Sequence, residues 1–264
     1  MTIFGAPAYN EHRMVDYYAL SDVGKKRTLN EDSYLVNPDT SLFVVADGMG
    51  GHSAGEVASK MAVDVINNFI TRSYLEEEIT WPFGVDARLS FNGNRLLTSI
   101  KLANKRVFRA AEKKDEYTGM GTTVVALLLQ ARQITLCSVG DSRAYMLANG
   151  QLQRLTKDDS WIGEAIAGGI ISEKEATAHP LRNIITKAVG AKEQLEFDVK
   201  ELEPPPNSLF LICSDGLHAM ITEDEVFKIL GSGKDLESMA RALVGAANEH
   251  GGLDNITVLL IKVP

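Results

Sequence analysis

Cysteine is nearly absent: 264 residues hold only Cys137 and Cys213. Two thiols make no disulfide framework, and without CxxC spacing they make no zinc site. Each lies in an apolar run and reads as a reduced core residue, which suits a cytoplasmic protein. Long hydrophobic runs are missing as well. No stretch reaches the roughly 20 apolar residues of a membrane span, and the N-terminus carries no hydrophobic signal segment. A membrane is therefore not expected as a partner. Positive charge is in deficit, with 27 Lys and Arg against 35 Asp and Glu, a net charge of −8. That balance argues against nucleic acid and leaves room for cations. No Gly or Pro bias, internal repeat or dividing linker is present. A chain that is 45% hydrophobic can bury a core, and it reads as a single domain over 1–264. Residues 1–13 read as a loose leader.

Short apolar runs are plentiful. Residues 16–23, 41–46, 119–130 and 133–141 read as strands, with further strands in 208–215 and 254–264. Residues 142–155 read as a hairpin turning at Asn149-Gly150. A helix follows Ser53, which pairs with Glu56 as a capping box; Ala54, Ala58, Ala62, Ile66 and Ile70 lie on its apolar face with Val57, Met61, Val65 and Phe69. Residues 75–95 read as an irregular connection. A second amphipathic helix then turns Leu97, Ile100, Leu102, Val107 and Phe108 inward. Short helices are expected within 156–190, and two more at 222–230 and 235–249. Clustered strands joined by hairpins, with helices between clusters, point to an α+β fold with antiparallel sheets.

Acidic residues recur where strands end or begin: Glu31 and Asp32 in "NED", Asp47 in "ADG", Asp141 in "VGDS", Asp215 in "SDG" and Asp254 in "LDN". Neighbouring strands would gather these at one sheet edge. Crowded carboxylates stay ionised only around a cation. Oxygen ligands without paired His or Cys favour Mg²⁺ or Mn²⁺ over zinc. Two such ions about 4 Å apart can aim an activated water at phosphorus. Any single Asp-Gly after a strand is an ordinary turn; their joint occurrence points to a site. Arg27 is either a solvated loop residue beside Lys25 and Lys26 or a fork for phosphate oxygens.

The segments "GKKRTLNED", "VVADGMGGHSAGEVAS", "GMGTTVVALLL", "VGDSRAYML", "LTKDDSW", "HPLRNIITKAVG", "LFLICSDGL" and "DNITVLLI" together resemble the metal-dependent, type 2C serine/threonine protein phosphatases, in particular bacterial single-domain members. The resemblance spans about residues 17–263. It implies a central antiparallel β-sandwich flanked by helices in α-β-β-α layers, with a small flap near 156–190. It implies that Asp47 bridges two Mn²⁺ or Mg²⁺ ions and that the Gly48 carbonyl binds one. Asp215 and Asp254 would complete one ion's ligands, and Glu31 and Asp32 would serve the other. Asp141 would hold a third, weaker ion with Asp215. Arg27 would bind phosphate. The implied reaction is attack on phosphoserine or phosphothreonine by a water or hydroxide held between the ions, without a phosphoenzyme. Phosphoproteins, a Ser/Thr protein kinase among them, are the implied substrates, and a monomer is the expected state.

Met49 stands where the animal pattern has a histidine proposed as general acid. His52 is either a substitute proton donor or a loop residue at the helix start. Two rival readings remain. Cys137 and Arg143 have the spacing of cysteine-dependent phosphatases, although Cys137 alternates with core residues and Arg143 opens a strand. A non-catalytic phosphoprotein binder is the other, disfavoured because every matching carboxylate is present.

Overall fold

The computed structural model describes residues 15–51, 54–76, 79–172, 175, 179–181 and 184–263. The leader, His52 and the Ser53 half of the expected capping box lie outside these. Strands β1 (Asp16–Asp22), β2 (Asp32–Asn37) and β3 (Leu42–Met49) come first, then helices α1 (Ala54–Leu75) and α2 (Phe91–Lys113). Strands β4 (Gly121–Thr122), β5 (Val124–Gln130), β6 (Gln133–Val139), β7 (Arg143–Ala148) and β8 (Gln151–Arg154) follow. Helix α3 (Trp161–Ala167), β9 (Val199–Leu202) and β10 (Leu209–Cys213) lead to α4 (Asp215–His218), α5 (Glu223–Leu230), α6 (Leu236–Glu249) and β11 (Ile256–Lys262).

The strands form two sheets, in the orders β1-β11-β10-β7-β8 and β2-β3-β5-β6-β9, with β4 beside β3. Every pairing is antiparallel. Side chains alternate between the two faces of a strand. In β3, Phe43 and Val45 enter the core between the sheets, while Leu42, Val44 and Ala46 meet α1 and α2. In β10, Phe210 and Ile212 point into the sandwich, while Leu209, Leu211 and Cys213 meet α5 and α6. Burial on both faces is why these strands read as unbroken apolar runs. The layers are therefore α-β-β-α.

Ala54, Ala58, Ala62, Ile66 and Ile70 form the buried face of α1. The inward stripe of α2 is Leu96, Ile100, Ala103 and Val107; Leu97, Leu102 and Phe108 are only partly buried. The helix also begins at Phe91, inside the stretch read as irregular. Ser90 caps it by accepting from Gly93 N (3.1 Å) and bonds to Glu201 of β9. Trp81 sits edge-on between Phe69 and Phe91, at 6.1 and 5.3 Å, so the segment 79–90 folds back over the helix pair. Arg95 is buried there with its guanidinium over the rings of Tyr74 and Phe91 and its protons on Asn92 Oδ1 and Ser73 O. Cation–ring attraction stands in for a carboxylate. Strands β2 and β9 and the short α4 have no counterpart in the sequence reading. No described helix is long and apolar enough to cross a membrane.

Phe210 is fully buried at the centre of the inter-sheet core. Phe210→Ala is expected to cost about 3–5 kcal/mol, read as a lower urea midpoint. A loss under about 1 kcal/mol would mean that the two sheets are not tightly packed there.

Candidate active site

At one end of the sandwich the two sheets contribute carboxylates to a common pit. Asp32 opens β2 and faces Asp47 across the β2–β3 ladder. Its Oδ2 accepts from Ser214 Oγ (2.7 Å) and Thr257 Oγ1 (2.6 Å). Both donors belong to the other sheet's side of the sandwich, Ser214 following β10 and Thr257 lying in β11. The Ser214 oxygen in turn accepts from Thr257 N (2.9 Å). Asp215 comes next, at the start of α4. Asp47 is held through its backbone: its N–H donates to Thr123 Oγ1 (2.9 Å) and its carbonyl accepts from Thr123 N (2.8 Å) and Thr122 Oγ1 (2.8 Å). The Asp47 carboxylate feels the charges of Asp32, Asp215, Asp141 and Asp254.

The glycine after each aspartate has a steric cause. Neither Gly48 nor Gly216 has a positive φ. A Cβ on Gly48 would strike the carbonyl of Gly55, and one on Gly216 would strike the carbonyl of Asn255. Only a residue without a side chain lets each pair of backbones close.

The electrostatics follow from crowding. Burial pushes Asp32 up to about 6, against the pull of its two hydroxyl donors. Burial, then the charges of Asp254 and Asp32, raise Asp215 to about 6. Burial and Asp215 raise Asp141 to about 7. Asp47 is held well above the usual carboxylate range by burial and by Asp32, Asp215, Asp141 and Asp254. Burial raises Glu31, partly offset by Arg27. Asp32 Oδ1, Asp141 Oδ1, Asp215 Oδ1 and Glu31 Oε1 are buried without a hydrogen-bond partner among the described residues. Such orphaned acceptors are costly, and hard divalent cations suit oxygen donors of this kind. Even so, among the described residues no three His, Cys, Asp or Glu side chains close around a point as a ready-made cage. The acidic groups face one another across the pit instead.

Asp254 and Arg27 differ from the sequence reading in one respect: they are paired with each other. Arg27 Nη2 donates to Asp254 Oδ2 at 2.7 Å, and this bond raises the arginine's pKa. Asp254 Oδ1 accepts from Asn255 N (2.9 Å). The pair is 48% and 35% exposed, and an ion pair that wet contributes at most about 1 kcal/mol. It is easily exchanged for another partner.

Several supporting residues have roles that the sequence reading did not assign. His218 is partly buried with Nε2 3.0 Å from the Asp141 carbonyl. Burial and Arg143 lower its pKa to about 3, so the neutral ring donates from Nε2. Asp158 is shared by Arg143 and Arg154. Asp159 accepts from Gly140 N (3.2 Å) and pairs with Lys187 (3.2 Å), while its carbonyl accepts from Thr186 N (2.8 Å). Residues beyond 156 are thereby joined to the turn that carries Asp141. Asn255 binds Glu31 N, Val23 O and Leu29 O. Ser214 and Asn255 adjoin motif aspartates, which is the one signal that could have found them.

The cysteine alternative does not survive. Cys137 is buried against α1 and α2, with its thiol pushed well above the ordinary range. Arg143 stands opposite Cys213, in the other sheet. Met49 extends toward Gly121 and has no proton to give.

Comparison with known proteins agrees with this geometry. The family model for protein phosphatase 2C matches residues 24–250. A serine/threonine phosphatase stp of Listeria welshimeri is 39% identical over 249 residues, covering 92% of this chain and 93% of that protein. Protein phosphatase PhpP of Streptococcus pneumoniae is 34% identical, covering 92% and 96%. Among solved structures, the serine/threonine phosphatase of S. agalactiae superposes with a TM-score of 0.83 at 32% identity, over 95% of this chain and 100% of that one. The catalytic domain of PstP in complex with two manganese ions gives a TM-score of 0.79 at 30% identity, over 95% and 99%. A match over most of the chain, on a sandwich whose carboxylates meet at one end, establishes that this protein belongs to the protein phosphatase 2C family.

Proposed function

We propose that the chain hydrolyses phosphoserine and phosphothreonine in proteins at this acidic pit, with Mn²⁺ or Mg²⁺ as cofactor. The observation that carries the reading is the cluster of buried Asp32 with partly buried Asp47, Asp141 and Asp215, in which three carboxylate oxygens are shielded from solvent without a hydrogen-bond partner among the described residues. Asp47 and the Gly48 carbonyl would hold ions between the sheets. Asp215 and Asp254 would serve one, and Asp32 with Glu31 the other, directly or through water. Asp141 would serve a third. When bound, such ions lower the pKa of water and polarise phosphoryl oxygens.

The chain's own residues supply the rest. Arg27 leaves Asp254 and takes phosphoryl oxygens, which frees Asp254 Oδ2 for an ion. Ser214 and Thr257 keep Asp32 turned so that only its Oδ1 is available. Residues 156–190 act as the flap against which substrate rests. Both thiols are buried with raised pKa values, so neither forms a cysteinyl phosphate, and the proposed attack on phosphorus is by water directly, without a phosphoenzyme. The manganese in the PstP structure supports Mn²⁺ as one cofactor. Phosphoproteins, including a Ser/Thr kinase, are the substrates proposed for a monomeric enzyme of the cytoplasm.

Para-nitrophenyl phosphate and a phosphothreonine peptide should be hydrolysed with Mn²⁺ and not with excess chelator. Turnover that ignores chelator would sink the reading. Asp47→Ala and Asp215→Ala should fold, judged by circular dichroism, yet lose on the order of a hundredfold or more in rate. Arg27→Ala should lower kcat/KM by about a hundredfold.

Stability should also report the ions. Asp32, Asp215 and Asp141 hold their protons more tightly folded than unfolded. In the ion-free protein their contribution is whole below about pH 4 and is lost as the pH rises through about 6 to 7. Mn²⁺ should therefore raise Tm far more at pH 8 than at pH 5. Equal shifts at both pH values would contradict ion binding by these groups.

A further inference from the structure

The rim of the pit carries two large aliphatic side chains that no part of the core uses. Leu29 is 49% exposed and Leu253 is 52% exposed. Single exposed leucines are commonplace, but these two share a frame. Leu29 lies two residues after Arg27, and Leu253 immediately precedes Asp254. Their loops are locked together: Asn255 Nδ2 donates to Leu29 O (2.9 Å) and Val23 O (3.0 Å), Asn255 Oδ1 accepts from Glu31 N (2.8 Å), and Lys25 N donates to Gly252 O (2.8 Å). The backbone beneath both leucines is fixed before anything binds, so apolar surface is offered to solvent by a preorganised support.

Geometry narrows the occupant. An extended peptide advances about 3.3–3.6 Å per residue. A phosphate at Arg27 leaves residues one to three positions from the phosphorylated one in reach of Leu29, two residues along the same loop, and of Leu253, next to Arg27's partner Asp254. Lys25, Lys26 and Arg27 stand exposed beside Leu29 and form the longest basic run in an otherwise acidic chain. They draw a phosphorylated segment to this side of the pit.

We infer that Leu29 and Leu253 form an apolar subsite that selects phosphoprotein segments with a large aliphatic residue beside the phosphorylated serine or threonine. This rests on the phosphatase reading and names the substrate class of the same site.

The test uses two phosphothreonine peptides that differ only in Leu or Ser at the flanking positions, with Mn²⁺. Wild-type protein should prefer the leucine peptide by about tenfold in kcat/KM, mainly through KM. Leu29→Ser and Leu253→Ser should each cut that ratio about threefold, half of the preference on a logarithmic scale. Leu75→Ser should leave the ratio intact, since Leu75 ends the 22-residue α1, about 30 Å from the helix start beside the pit. Para-nitrophenyl phosphate has no flanking residue and reports the state of the centre itself. Equal wild-type rates on the two peptides overturn the subsite, as does a ratio that survives both leucine changes. A wild-type protein that hydrolyses neither peptide nor para-nitrophenyl phosphate overturns instead the reading beneath it.

Discussion

The site depends on one carboxylate that belongs to one sheet and is hydrogen-bonded by the other. Asp32 begins β2, yet its Oδ2 is held by Ser214 and Thr257 from the β10–β11 side. Packing between sheets is non-directional, so apolar burial alone sets a spacing and leaves the two sheets free in register. Two hydroxyls on one carboxylate oxygen fix the register at the end where it matters. They also decide which oxygen remains for other work. Breaking such a bond inside a protein leaves a buried charge uncompensated, which is far costlier than the bond's net contribution.

Close backbone approach completes the arrangement. Gly48 lies against Gly55 and Gly216 against Asn255, so each Asp-Gly step is also a point where two chain segments touch. The aspartate supplies charge and the glycine removes the atom that would hold the segments apart. This is why the dipeptide follows an apolar strand twice. The strand is rigid because both its faces are buried, and the turn after it must fit against a neighbour with nothing to spare.

Much of this was legible from the residues. β3 and β10 announce themselves because neither face meets water. β2 and β9 are mixed in burial, and their polar composition hides them. The start of α2 was unreadable for a related reason. Asn92, Gly93, Asn94 and Arg95 are buried, but buried by hydrogen bonds and aromatic rings, which apolar periodicity does not detect. Missing that start puts Leu97 and Leu102 where Leu96 and Ala103 face inward, while Ile100 and Val107 are read correctly. At the site, Asp47, Asp215, Asp32 and Asp141 could be picked out by their place at strand ends. Thr257 and His218 could not, because their roles lie in bonds to distant segments, and Ser214 and Asn255 are marked only by adjoining motif aspartates. The pairing of Arg27 with Asp254 spans 227 positions and leaves no local trace.

That pairing gives the pit a resting state in which its outermost positive charge is already answered. A small, weakly bound anion drifting in from solvent meets a guanidinium whose best-placed donor is occupied, over a floor that repels it. A phosphoryl group carries more charge and several acceptor oxygens, and it arrives attached to a protein that adds contacts of its own. It can outbid one solvent-exposed carboxylate where chloride cannot. On the proposed reading the entrance thus favours a phosphoryl group over smaller anions, by no more than the pair's own roughly 1 kcal/mol.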